Sequence, residues 1–248
     1  MRHVRQALDA REYVAGTTRR SSAIPLNLVS LQSPPAVVRH LRADERALRA
    51  ATGAKFVAVA RDRQRVIGML AGNAKEAAAV VKLAPAERDD VDARHDLNAL
   101  SAGSPPQVGG VSVGRARHAG RILSFYREAQ RRFGIRWELL AAVNFVESDF
   151  GRARTTARAD AQGPMQFEPA TWRAYGLGGD VYDERDAILA AANLLAANGG
   201  RTNERAALMH YNRSPLYWDA VLHLAHRMAA VPTAFREYYA WKLHLRKS

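Results

Sequence analysis

With 248 residues, 48% of them hydrophobic, the chain is long enough for one or two domains and rich enough in Leu, Ala and Val to bury a sizeable core. A formal net charge of +13 draws such a surface towards polyanions, but a GC-rich, Arg- and Ala-heavy composition gives the same number, so charge assigns no partner by itself. The lack of cysteine excludes disulfides, thiol nucleophiles and Cys-ligated zinc, and no apolar run approaches the roughly 20 residues of a membrane span.

Helix-forming residues outnumber β-branched and aromatic ones, which predicts an all-α fold. Residues 1–112 read as a mainly helical accessory segment. Met1 to Arg20 is basic but lacks a following apolar stretch, so no secretory signal is recognisable there. Ser33-Pro34-Pro35 breaks the chain, and Ala36–Ala50 is amphipathic, with Val37, Val38, Leu41 and Leu48 on one side. Phe56–Val59 fits a short strand or a continuing helix. Val66–Leu83 reads as one helix weakened by Gly68 and Gly72, and Asp89–Leu100 as a short charged helix. Residues 101–112, with Ser101-Ala102-Gly103-Ser104-Pro105-Pro106 and Gly109-Gly110, form the expected linker.

From 113 to 230 the pattern is that of a helical domain with short loops. Ile122, Leu123, Tyr126, Ala129 and Phe133 recur at helical spacing over 118–133, and Gly134 stops the helix. A second helix, 136–148, carries Trp137, Leu139, Leu140, Val143 and Val146, with Glu147 in its last turn and Gly151 turning the chain away. Thr155–Met165 lacks periodicity and reads as loop. Pro169 opens a short helix that Gly176 ends. Asp183 caps a helix over 184–198, closed by Gly199-Gly200. A helix over 203–211 and one opened by Ser214-Pro215, with Leu216, Val221, Leu222 and Leu224, complete the set. Residues 231–248 are an aromatic, basic tail. Its Phe235, Tyr238, Tyr239 and Trp241 are expected to pack back onto the domain, between Arg236, Lys242, Arg246 and Lys247.

Glu147 is the side chain with chemical promise. It follows the apolar run Leu139–Val146 and sits at the negative end of a helix dipole, and both raise a carboxyl pKa. A carboxyl kept protonated near neutral pH can act as a general acid. A solvated Glu, or one paired with Arg152 or Arg154, is the competing reading of that feature taken alone.

The ordered series Glu147-Ser148-Asp149-Phe150-Gly151, Gln162-Gly163-Pro164-Met165-Gln166-Phe167, Pro169-Ala170-Thr171-Trp172, Asp186-Ala187-Ile188, Asn193-Leu194-Leu195 and Tyr211-Asn212 resembles the lytic transglycosylase (SLT) domain, a lysozyme-like, goose-type helical fold. Within that family it is most similar to the membrane-bound B-type murein transglycosylases and their actinobacterial relatives, over about residues 119–230. The resemblance implies cleavage of the MurNAc–GlcNAc β-1,4 bond of peptidoglycan, without a cofactor, at the cell envelope or outside the cell. Glu147 matches the catalytic glutamate. Ser148 matches the serine that supports the substrate's acetamido group, and Gly163, Met165 and Gln166 match the loop lining the glycan cleft. Tyr211 and Asn212 match the motif that orients glutamate and substrate. Peptidoglycan is the implied partner, anionic wall polymers are a further one that the charge admits, and a monomer with no nucleic-acid role is expected.

One carboxylate suffices where the substrate's own acetamido group acts as nucleophile. A second, drawn from Asp149, Asp160, Glu168 or Asp180, would favour a hydrolytic muramidase, and a catalytically weak peptidoglycan-binding module is the third reading. All four read as solvated loop charges. His210 and Arg213 depart from the family pattern beside Tyr211-Asn212, as does Glu168 at a usually apolar site. Asp180, Asp183 and Asp186 lack the spacing of a calcium loop, and His223 and His226 lack a third ligand, so no metal is expected.

Overall fold

The structure, a computed structural model, describes residues 33–102, 111–113, 118–155 and 161–241. Expectations concerning residues 1–32, linker residues 103–110, Asp160, and Lys242, Arg246 and Lys247 lie outside the described residues. The fold is all-α. In chain order the helices are α1 (Pro34–Ala50), α2 (Gly53–Ala71), α3 (Ala74–Leu83), α4 (Arg88–Ala102), α5 (Ala119–Phe133), α6 (Trp137–Ser148), α7 (Pro169–Tyr175), α8 (Glu184–Ala197), α9 (Glu204–Tyr211), α10 (Pro215–Ala230) and α11 (Ala234–Ala240). One antiparallel ribbon joins β1 (Val111–Val113) to β2 (Ala153–Thr155), with Ser112 opposite Arg154.

Phe56–Val59 takes the helical of its two alternatives, inside α2. Val66–Leu83, expected as one helix, is two. The break falls at Gly72-Asn73, where the Asn73 side chain accepts the Glu76 amide at 3.2 Å and restarts the chain as an N-cap. The ribbon was not expected either: three-residue strands are too short to display alternation.

The main core lies where the apolar faces of α5, α6, α8 and α10 meet. Leu139, Leu140, Val143, Ile188, Leu195, Val221 and Leu224 are all buried there. Each such side chain contributes about 1.5–3 kcal/mol through burial. That core does not stop at the linker: Ala93, Leu97 and Leu100 of α4 belong to it, packed along α10. The tail closes it from the other side, with Phe235, Tyr238 and Trp241 buried against Phe145 and Phe150. A smaller cluster of Val37, Leu41, Val66, Ile67, Leu70, Val80 and Val91 holds α1–α3 together.

Between the two apolar clusters runs a seam of buried charge. Arg63 of α2 is fully buried, with one guanidinium nitrogen 2.5 Å from both Glu87 and Asp90, and its Nε 3.1 Å from Glu237 of α11. Arg227 of α10 reaches Asp90 at 3.0 Å, Gln64 donates to Glu237 at 2.5 Å, Arg94 donates to Gln64 at 3.1 Å, and the Tyr238 hydroxyl donates to Asp90. Burial penalises the Asp90 carboxylate, but Arg227 and Arg63 outweigh it and hold the group below the usual carboxylate range. For Glu237 burial prevails and pushes the carboxyl up to about 7.

Candidate active site

The end of α6 positions Glu147 through an unusual turn. Asp149 (φ 51°), Phe150 (φ 59°) and Gly151 (φ 77°) are left-handed in succession, although only the last lacks a Cβ. Left-handed backbone at a residue with a side chain is costly, so neighbours must enforce it. The Asp149 and Phe150 amides return to the Phe145 and Asn144 carbonyls at 2.9 and 3.3 Å. Arg152 pairs with the Asp149 carboxylate at 3.0 Å, donates to the Tyr239 carbonyl at 2.6 Å and lies over the Tyr239 ring. Phe150 is fully buried among Phe145, Phe235 and Tyr239. The tail is therefore what clamps the turn beside Glu147.

Opposite this turn stands a second one, Gly163 to Gln166, closed by paired backbone hydrogen bonds between Gln162 and Phe167 at 2.8 Å. Gly163 has φ 71°, and a Cβ there would stand 1.8 Å from the Val181 carbonyl oxygen, so only glycine fits. Met165 is wholly buried. Gln166 is also left-handed (φ 51°) and 3% exposed; its amide nitrogen donates to the Gly163 carbonyl at 2.7 Å, and its Oε1 has no hydrogen-bond partner among the described residues. Such an orphaned buried acceptor is costly in a folded chain unless something supplies a donor.

Ser148 ties the two turns together. Its hydroxyl lies 2.5 Å from the Pro164 carbonyl, to which it donates, and accepts the Gly151 amide at 2.8 Å. Glu147 itself is only 4% exposed, and the Tyr217 hydroxyl of α10 donates to its Oε1 at 2.7 Å. The Tyr211 ring stacks on that of Tyr217, 6.4 Å between centroids and 10° between planes, and its hydroxyl donates to the Met165 carbonyl at 2.7 Å. Burial, and after it the nearby Glu147 carboxylate, push the Tyr211 hydroxyl well above the ordinary phenol range, so it stays a donor. Asn212, 3% exposed, accepts the Ser214 amide at 3.0 Å and takes the Trp218 indole N–H on its carbonyl. Glu147, Ser148, Gly163, Met165, Gln166, Tyr211 and Asn212 are thus drawn to one place by α6, one turn and the end of α9.

The carboxylates weighed as possible second groups are spread out. Asp149 is a buried ion-pair partner of Arg152, Glu168 is half-buried at the start of α7, and Asp180 is exposed, accepting the Tyr182 amide at 2.9 Å. Asp183 caps α8 by accepting the Arg185 and Asp186 amides, and Asp186 accepts the Asp180 amide at 3.0 Å. Glu184, not singled out in the sequence, is a buried carboxyl beside Gly151 and Pro164. His210 and Arg213 are exposed, as is His226, while His223 reaches Asp89 at 3.1 Å.

The residue that sequence reasoning missed is Tyr217. A signal existed: Tyr217, Ala220, Val221 and Leu224 share the buried face of α10, and a phenol on a core face needs a partner for its hydroxyl.

Residues 124–219 match the family model described as the transglycosylase SLT domain, a lysozyme-like all-α family. The match runs from within α5 to the start of α10 and takes in Glu147, Ser148, Gly163, Met165, Gln166, Tyr211, Asn212 and Tyr217, but not the clamping residues Phe235 and Tyr239. No curated protein and no solved structure matches the chain.

Proposed function

Since the chain carries a transglycosylase SLT domain, whose family cleaves the glycan of peptidoglycan, we propose that it is a lytic transglycosylase in which Glu147 is the lone acid/base group. The observation that carries this reading is the setting of that carboxyl. It is almost fully buried, held by Tyr217, and placed next to the Gly163–Gln166 turn rather than in open solvent.

The reaction follows from one carboxyl and the substrate's own acetamido group. Glu147 gives its proton to the oxygen between MurNAc and GlcNAc as the C1–O bond breaks. The acetamido carbonyl oxygen bonds to C1 from the opposite face and takes up the developing positive charge as an oxazolinium ion. The Glu147 carboxylate then removes the proton of the muramoyl 6-hydroxyl, whose oxygen attacks C1 and releases the acetamido group. A 1,6-anhydro ring results, Glu147 is protonated again, and no water is consumed. Proximity favours the 6-hydroxyl over water as nucleophile.

In this scheme Tyr217 fixes Oε1 as an acceptor, so that Oε2 carries the transferable proton. Gln166, Met165 through its backbone, Gly163 and Asn212 line the glycan, and the unsatisfied Gln166 Oε1 is an acceptor for a substrate N–H or hydroxyl. Tyr211 and Ser148 act as positioning groups, since their hydroxyls already hold the Met165 and Pro164 carbonyls. Peptidoglycan strands are the partner, and the site of action is the cell wall. Among the described residues no helix is long and apolar enough to cross a membrane.

Purified sacculi digested with the protein and with Glu147→Gln test the assignment. The reading expects soluble muropeptides from the former and at least a ~10³-fold lower rate from the latter, as expected when the sole acid/base group is removed. Both chains should still sediment with sacculi. Undiminished release by Glu147→Gln would remove Glu147 from the chemistry, and sedimentation without any release by either chain would leave a binding module.

A further inference from the structure

A cluster far from Glu147 in the chain has no part in the chemistry above. His40 and Asp44 stand one helical turn apart on α1, the i, i+4 spacing that puts two side chains on one face. Asp62 of α2 faces them. The His40 Nε2 atom lies 2.9 Å from Asp62 Oδ2 and 3.3 Å from Asp44 Oδ2, and one ligand atom from each of the three falls within 4.8 Å of the others.

One nitrogen cannot satisfy both oxygens. Nε2 carries at most one proton, and of the two carboxylates only Asp62 stands in hydrogen-bonding geometry to it. Asp44 is only 9% exposed, and its Oδ2, aimed at the same point, has no hydrogen-bond partner. The His40 ring stands 3.3 Å from that oxygen but is hydrogen-bonded to Asp62 instead, and what would satisfy all three atoms together is a cation between them.

We propose that His40, Asp44 and Asp62 bind a divalent transition metal ion, with Zn²⁺ the best match, which pins α1 to α2. The donor set is one imidazole nitrogen and two carboxylate oxygens, a combination that suits zinc and its neighbours. Bonds of about 2.0–2.1 Å in a tetrahedral site put ligand atoms roughly 3.3 Å apart. The His40–Asp44 pair is already at that separation, and the His40–Asp62 pair need open by only a few tenths of an ångström. Binding displaces the Nε2 proton to solvent and turns its lone pair to the ion. His40 and Asp62 keep 28% and 22% of their side-chain surface exposed, which leaves an entry path and room for a water as fourth ligand. The Arg65 guanidinium, 3.0 Å from Asp62 Oδ1, holds the far oxygen of that carboxylate and leaves Oδ2 for the ion.

The test uses the full chain stripped with a chelator and dialysed against Zn²⁺ and, separately, Co²⁺, with metal measured per chain. One saturable ion is expected, with the visible d–d absorption of four-coordinate Co²⁺, and a rise in melting temperature on adding Zn²⁺. His40→Ala, Asp44→Asn and Asp62→Asn should each weaken binding at least ~10-fold, the effect typical even of outer-sphere changes. His223→Ala, which alters an ion pair elsewhere, should leave it unchanged. Circular dichroism checks that each variant is helical, and a Zn²⁺-induced shift of the His40 ring signals in the unaltered chain reads the same contact without substitution. Absence of a saturable ion, or stoichiometric binding that survives His40→Ala, would overturn the proposal and reduce the cluster to ion pairs.

Discussion

The domain around Glu147 and the seam that joins it to α1–α4 are held by opposite means. In the first, Leu139 to Phe145 and Ala187 to Leu195 bury mainly apolar surface, with Asn144 satisfied by the Tyr126 hydroxyl at 2.8 Å. In the second, Arg63, Arg94, Arg227, Glu87, Asp90 and Glu237 are buried together and must satisfy one another. Apolar packing yields by degrees, because a side chain shortened by one methylene loses its own contacts and leaves only a small cavity. A buried charge network does not, because removing one partner strands the rest. The seam therefore fixes the angle at which α10 and α11 are held, and α10 carries Tyr217 while α11 clamps the Phe150 turn through Phe235 and Tyr239. Helices α1–α4 thus bear on the site through geometry.

The largest effect on stability should come from Arg63→Met. It leaves Glu87, Asp90 and Glu237 facing one another without their central cation, and a loss of about 3–5 kcal/mol is expected in urea denaturation. Adding Glu87→Gln should recover part of it; a loss under about 1 kcal/mol for the single variant would mean that the seam is merely tolerated. Tyr217→Phe comes next and should act on function instead. Losing one hydrogen bond to a charged or proton-carrying group should lower kcat on sacculi by roughly 10- to 100-fold, about 1.4–2.7 kcal/mol, with KM and melting temperature little changed. An unchanged kcat would make Tyr217 a packing residue. Ile188→Val, wholly inside the apolar core, should lose only about 0.5–1.5 kcal/mol and no activity.

The most specific effect concerns pH. Glu237 is pushed up to about 7 in the fold against an ordinary 4.5. A raised pKa means a contribution fully present below about 4.5 and lost as pH rises through about 7. Asp90, held low, contributes in the other sense and loses its share only in acid. Melting temperature should thus fall between pH 5 and 8 by an amount that Glu237→Gln removes. An identical pH dependence in that variant would place the titrating group elsewhere.

How far the sequence announced this structure depends on the range of the interactions. α5, α6, α8 and α9 were legible because their signals are local: apolar spacing, Gly134 and Gly199 as stops, Asp183 as a cap. The cluster around Glu147 was legible through its motifs, and the rigidity of the Gly163 turn follows from a glycine that Val181 will not let change. The seam was not legible. Arg63, Asp90 and Arg227 look like solvated helix faces, and nothing local joins residues as far apart as the 173 positions between Gln64 and Glu237. Tyr217 hid for the same reason, 70 positions from Glu147 and among aliphatic residues that made its helix look merely structural. The split at Asn73 was missed because a side-chain cap outweighed a continuous apolar run.

Digestion of sacculi in ¹⁸O-labelled water, followed by mass spectrometry of the new glycan ends, bears most directly on Glu147 working alone. With only the substrate's acetamido group and 6-hydroxyl to assist it, the ends should be 1,6-anhydromuramoyl and free of label. Reducing muramoyl ends carrying one ¹⁸O would mean that water is the nucleophile, and that a second protein group activates it.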